Sequence, residues 1–122
     1  MTKALVLTAV LMAAGLKNHA NLDRPASEPD LLRAFGFSAC LAKAYDKTPV
    51  GEDAERVADG YRQMGKVGTA YDEVRKAAES LDAAKPTIMG HHNFAIMTCL
   101  EWYENAKTKQ FVQRVAAKPR NQ

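Results

Sequence analysis

Two cysteines, Cys40 and Cys99, are the only ones in this chain of 122 residues, and each occupies the same slot of an apolar helical stripe. Phe37, Cys40, Leu41 and Ala44 recur at i, i+3, i+4 and i+7, as do Ile96, Cys99, Leu100 and Tyr103. That spacing belongs to a buried helix face. Two cysteines allow one intramolecular pairing, and an oxidising compartment would close it as a bridge between the two helices. In the chain-entropy account such a loop is stabilised by about 4 kcal/mol at most, because native strain subtracts. In a reducing compartment the same side chains would pack as two small buried hydrophobes. No CxxC or CxxCH is present, which excludes thioredoxin-like redox chemistry and attached haem.

The N-terminus bears on the compartment. Lys3 is followed by an apolar run from Leu5 to Leu16, then by Lys17, Asn18, His19 and the small Ala20. This is the layout of a cleaved signal peptide, with a buried N-terminal helix as the alternative. The run is shorter than the roughly 20 apolar residues that a membrane anchor needs, and no later segment reaches that length. The expected organisation is a signal peptide over residues 1–20, cut within residues 15–22, and one helical domain over residues 21–122. The expected location is the periplasm.

The chain has 17 basic and 14 acidic residues, and losing Lys3 and Lys17 with the signal leaves 15 against 14. No Lys/Arg stripe interleaved with aromatics is present, so a nucleic-acid partner is not expected, nor is a membrane once the signal is gone. About 100 mature residues suffice for one small core in which a covalent staple helps.

Helical punctuation runs through the mature segment. Ser27 caps a helix that starts near residue 28 and continues to about Tyr45, where Asp46 to Gly51, with Thr48 and Pro49, breaks it. A second helix is read over about 52–66, with Glu52, Asp53 and Glu55 in a first turn where the helix dipole favours negative charge. A third begins at Thr69, buries Ala70, Val74, Ala77, Ala78 and Leu81, and ends near Ala84. After a loop from Pro86 to Gly90, a last helix opens near Asn93 and carries Phe94, Met97, Leu100, Trp102 and Tyr103. The segment from Thr108 through Val115 continues it, separately or fused. No stretch alternates with period two, so the fold class is all-α, a single small bundle of four to five helices stapled by one disulfide. Gly60 lies inside the second helix at a cost of about 1 kcal/mol relative to alanine. A close helix–helix approach is the expected reason, a local kink the alternative.

Candidate chemistry is sparse. His91 and His92 are adjacent, so on a helix they point about 100° apart and do not chelate as i, i+4 ligands do. No metal or other cofactor is expected. Cysteine nucleophiles would have to leave their apolar stripes. Asp72, Glu73, Glu52 and Asp53 sit where solvation and the helix dipole alone would place them, and the glycines match no phosphate-loop spacing. An enzyme is not expected, and no catalytic residue is assigned. The reading that remains is a binding protein. The connection before the last helix is the candidate partner-binding segment: Lys85, Thr87, Ile88, Met89, His91 and His92 mix apolar and polar side chains in the longest loop. The alternative is that Ile88 and Met89 fold back onto the bundle.

Four elements, in order, resemble those of a known family. LLRAFGFSACLAKAY, with a paired-leucine start and a Cys-Leu-x-x-Ala-Tyr ending, is the first; Asp59-Gly60-Tyr61 is the second. The third is the helix beginning at Ala70-Tyr71, and the fourth is IMTCLEWYENAKTKQFV. Together, over about residues 31–115, they resemble the Tai4-like type VI secretion system amidase immunity proteins and the related Rap immunity proteins. Each is weak alone; their order and the two cysteines make the combination specific.

The resemblance implies a periplasmic helical protein with a disulfide that binds and blocks a cognate peptidoglycan amidase, an NlpC/P60-like cysteine hydrolase, by covering its catalytic cleft. It also implies a homodimer among the assemblies such a chain forms. The family's inhibitory loop does not transfer residue by residue, because KPTIMGHHN stands here where members carry Ser/Gly-rich loops. An acid-activated periplasmic chaperone of the HdeA type is the alternative function, although the DGY and IMTCLEWY elements have no role in it.

Overall fold

Ser27 adopts an extended conformation and its hydroxyl accepts a hydrogen bond from the Asp30 amide at 3.3 Å, with Pro29 in the first turn that follows. The helix so started, α1, runs from Glu28 to Ala44 in the computed structural model, which describes residues 26–66, 68–85 and 94–119. The signal segment of residues 1–20 and its cleavage region lie outside the described residues.

Four more helices follow: α2 (Pro49–Met64), α3 (Gly68–Glu79), α4 (Ala95–Glu104) and α5 (Ala106–Ala117). Among the described residues there is no strand, and the all-α bundle expected from the sequence is the fold observed. α1 is its centre. Leu31, Leu32, Phe35, Gly36, Ser38, Ala39 and Cys40 are all buried, a stripe wide enough for α2, α3, α4 and α5 each to pack against it. A surface helix normally buries a narrower face.

Local chemistry moves several boundaries. α2 begins three residues before its expected start, because Thr48 acts as N-cap instead of breaker: its hydroxyl accepts from the Gly51 amide at 3.1 Å, and Pro49 takes the first helical position, where it sacrifices no hydrogen bond. α3 ends at Glu79, short of Ala84, and the chain turns through Asp82 at φ 51°. α5 is separate from α4 because Asn105 breaks the pair and caps the second member, accepting from the Lys107 amide at 2.8 Å.

Two clusters form the interior. The larger joins Leu31, Leu32 and Phe35 of α1 to Ala58, Tyr71, Val74, Val112 and Val115. Phe35 meets Tyr71 edge to face at 5.0 Å, a favoured aromatic geometry. The smaller cluster is made of Ala39, Cys40, Ala78, Ala83, Ala95 and Cys99. It encloses the disulfide between Cys40 and Cys99, whose Cα atoms are 5.7 Å apart. The bridge ties α1 to α4, as the matched stripes predict.

Gly60 departs from expectation. A β-carbon there would meet nothing within 4 Å, and α2 runs unbroken through it, so none of the described helices approaches it. The close approaches occur at Gly36, against Trp102, and at Gly65, against the Tyr71 phenol.

Candidate apolar docking face on α4

α4 has the sequence AIMTCLEWYE, with Thr98, Glu101 and Glu104 on one side, and only part of its wide apolar remainder is covered. Ala95 and Cys99 are buried. Trp102 lies over Gly36, and Tyr103 meets Phe37 at 5.7 Å while the Arg33 guanidinium sits 4.3 Å from its ring centre. These four positions, at i, i+4, i+7 and i+8, form the side that faces α1. The bridge from Cys99 to Cys40 fixes this rotation of the helix.

The opposite side is left to solvent. Ile96, Met97 and Leu100 are 57, 50 and 46% exposed, and Phe94, just before the helix, is 44% exposed. With Ala95 and Tyr45 they line an open groove of about 370 Å³. Tyr45 ends α1, its amide bonded to the Leu41 carbonyl at 2.9 Å, and its own carbonyl accepts from the Thr48 amide. The groove wall is thereby held by the turn into α2.

Ile96 and Leu100 correct the sequence reading, which placed them with Cys99 on a buried stripe. The cysteine does point inward, but Ala95, Trp102 and Tyr103 share its face, so Ile96 and Leu100 turn outward. An available signal was the width of the apolar face: Thr98, Glu101 and Glu104 share one side of α4, and the apolar remainder is wider than the stripe a surface helix buries against its own core.

The candidate binding segment adjoins this face. Lys85 is exposed at the end of the turn after α3, its amide bonded to the Asp82 carbonyl at 2.9 Å. Thr87, Ile88, Met89, His91 and His92 lie outside the described residues. Phe94, the first described residue after them, already belongs to the groove.

The charged and titratable groups with perturbed protonation lie elsewhere. Burial pushes the Tyr71 phenol well above its ordinary range, and the neighbouring Glu28 carboxylate pushes in the same direction. For Arg75, burial alone would lower the guanidinium; hydrogen bonds and charge from Glu55, then Glu79, outweigh it, so the net shift is upward. Arg75 reaches Glu55 at 2.8 Å and lies over the Phe35 ring, clamping α3 to α2. Both groups support the bundle. Among the described residues no group of three or more His, Cys, Asp or Glu side chains is placed to hold a metal ion, and no helix is long and apolar enough to cross a membrane.

The groove can therefore offer shape and apolar area. Those properties suit binding of a macromolecule better than turnover of a substrate. No match was found among curated proteins or among solved structures. A family model described as type VI secretion system amidase immunity protein, Tai4, matches residues 30–112. That span takes in all of α2, α3 and α4, both bridged cysteines and the DGY and IMTCLEWY elements. The chain belongs to the Tai4 family of type VI secretion system amidase immunity proteins.

Proposed function

We propose that this chain protects its producer by binding a secreted peptidoglycan amidase through the exposed face of α4 and the adjoining residues 85–92. Phe94, Ile96, Met97 and Leu100 carry the reading. They are large, contiguous and uncovered on a helix locked by a disulfide, the arrangement of a preorganised interface core. Lys85, Thr87, Ile88, Met89, His91 and His92, which precede this face in the sequence, are proposed as further partner contacts, and the complex covers the catalytic cysteine cleft of an NlpC/P60-like hydrolase. Such a protein needs no catalytic group of its own.

The periplasm is the proposed site of action, reached through the signal layout of residues 1–20 with residues 21–122 as the mature domain. A closed bridge between Cys40 and Cys99 fits an oxidising compartment. The chaperone alternative gains no support from the family match.

The test is cross-link cleavage by a panel of type VI amidases with and without equimolar protein at neutral pH. One amidase should lose activity stoichiometrically, and Ile96→Asp with Leu100→Asp should restore it while the variant keeps its helical circular dichroism. An unaffected panel would reject the proposal.

A further inference from the structure

Arg75 and Arg33 each lie over an aromatic ring, but they differ in what balances their charge. Arg75 sits 5.1 Å from the centre of the Phe35 ring and is held by Glu55 and Glu79. Arg33 sits 4.3 Å from the centre of the Tyr103 ring and its Nη2 donates to the phenol oxygen at 3.5 Å. Among the described residues it forms no ion pair. Asp30, one turn earlier on α1, and Glu104, next to Tyr103, are both exposed and do not reach it.

Arg114 also lacks a carboxylate, but it is exposed and water solvates its charge. Arg33 is half-buried, and its Nε is shut off from solvent without a hydrogen-bond partner. A donor desolvated and unpaired costs free energy, as does a charge taken partly out of water. The face of the Tyr103 ring offsets only part of that cost. The domain thus holds a guanidinium whose anion is supplied by no described side chain.

Its place is the edge of the apolar face of α4. Ile96, Leu100 and Tyr103 stand at i, i+4 and i+7, so they follow one line along the helix, and that line ends under Arg33. Phe37, one turn after Arg33 on α1, packs against the same ring at 5.7 Å. Tyr103 is therefore fixed from two sides, and the guanidinium resting on it is positioned before any partner arrives.

Resting on the amidase reading above, we infer that Arg33 is a specificity-determining anchor of that interface and receives an aspartate or glutamate carboxylate of the amidase beside Leu100 and Tyr103. A polypeptide partner offers carboxylates as its anionic side chains, and the guanidinium fork matches that group with two parallel hydrogen bonds. Arginine and tyrosine next to an apolar centre are also the residue types that dominate protein interfaces. The apolar face supplies area; Arg33 distinguishes an amidase with an acidic residue at this point from one without.

The test uses the amidase that the wild-type chain inhibits, with dissociation constants measured by calorimetry at low and high salt. Arg33→Met keeps an apolar stem and removes the charge. It should raise the dissociation constant about thirtyfold or more and flatten its salt dependence, while the helical circular dichroism stays. Arg33→Lys should recover part of the affinity, because it restores the charge without the fork. In a scan of the amidase's surface Asp and Glu to Asn and Gln, one substitution should weaken wild-type binding yet add little to Arg33→Met, the coupling expected of a direct pair. Coupling is read against Arg33→Lys as well, which decides the matter if the methionine variant fails to fold. Wild-type affinity and salt dependence in Arg33→Met, or a scan in which no carboxylate couples to Arg33, would overturn the anchor and leave the amidase reading standing. A wild-type chain that inhibits no amidase would overturn both.

Discussion

The Trp102 indole occupies the space that a side chain at Gly36 would need. A β-carbon there would overlap the ring and crowd Val74 as well. Gly36→Ala should therefore act as an overpacking substitution in the middle of α1, destabilising the fold by about 2–3 kcal/mol even though alanine is the better helix former. Urea unfolding of the variant measures it. An unchanged midpoint would mean that the indole can move aside freely.

Removing the bridge is the second prediction. The paired substitution Cys40→Ala with Cys99→Ala deletes a cross-link that spans 59 residues of chain, so the thermal midpoint should fall by the equivalent of up to about 4 kcal/mol. Such a loss is a large part of the stability of a domain this size. A titration of thiols in the denatured, unreduced wild-type protein should return none.

Tyr71 predicts alkaline sensitivity. Burial, then Glu28, raises its folded pKa above the ordinary 10.0. The folded state therefore resists loss of the phenolic proton. This contribution is complete below about pH 10 and is lost as pH rises above it, because the unfolded chain ionises first. Denaturation midpoints between pH 8 and pH 12 should fall more steeply for the wild type than for Tyr71→Phe above the ordinary tyrosine pKa. Parallel curves would remove Tyr71 as the cause.

Thr48→Ala removes the hydroxyl that accepts from Gly51 and donates to Tyr45. The loss of an N-cap should cost about 1 kcal/mol, read as a fall of about 4–8 °C in thermal midpoint for a domain of this size. Since Tyr45 is also a wall of the α4 groove, the same variant should weaken amidase binding, whereas Asn105→Ala, which uncaps α5, should lower stability alone.

Much of this architecture is legible from local patterns. The cysteine-bearing stripes name the two helices that are bridged, and Ser27 starts α1 where a capping serine should. Thr48-Pro49 reads equally as the end of one helix or the start of the next; only the hydrogen bond from the Gly51 amide decides which. Ile96 and Leu100 show a different limit. Periodicity finds that a helix has apolar positions, but the apolar face of α4 is so wide that the pattern does not choose which part of it turns inward. The disulfide and the ring of Trp102 choose it, and both depend on contacts with α1 far away in sequence. Gly60 reads as a close helix–helix approach, but the space beside it is open.

α4 is joined to the domain in an unusual manner for so apolar a segment. Its inward side is made of alanine, a bridged cysteine and two aromatic rings that are half-buried, while its three largest aliphatic side chains remain outside. In most helices retention and burial are the same event, since the residues that hold the helix are those hidden from water. Here a covalent bond supplies part of the attachment, so evolution can vary Ile96, Met97 and Leu100 to follow a changing target without loosening the element that bears them.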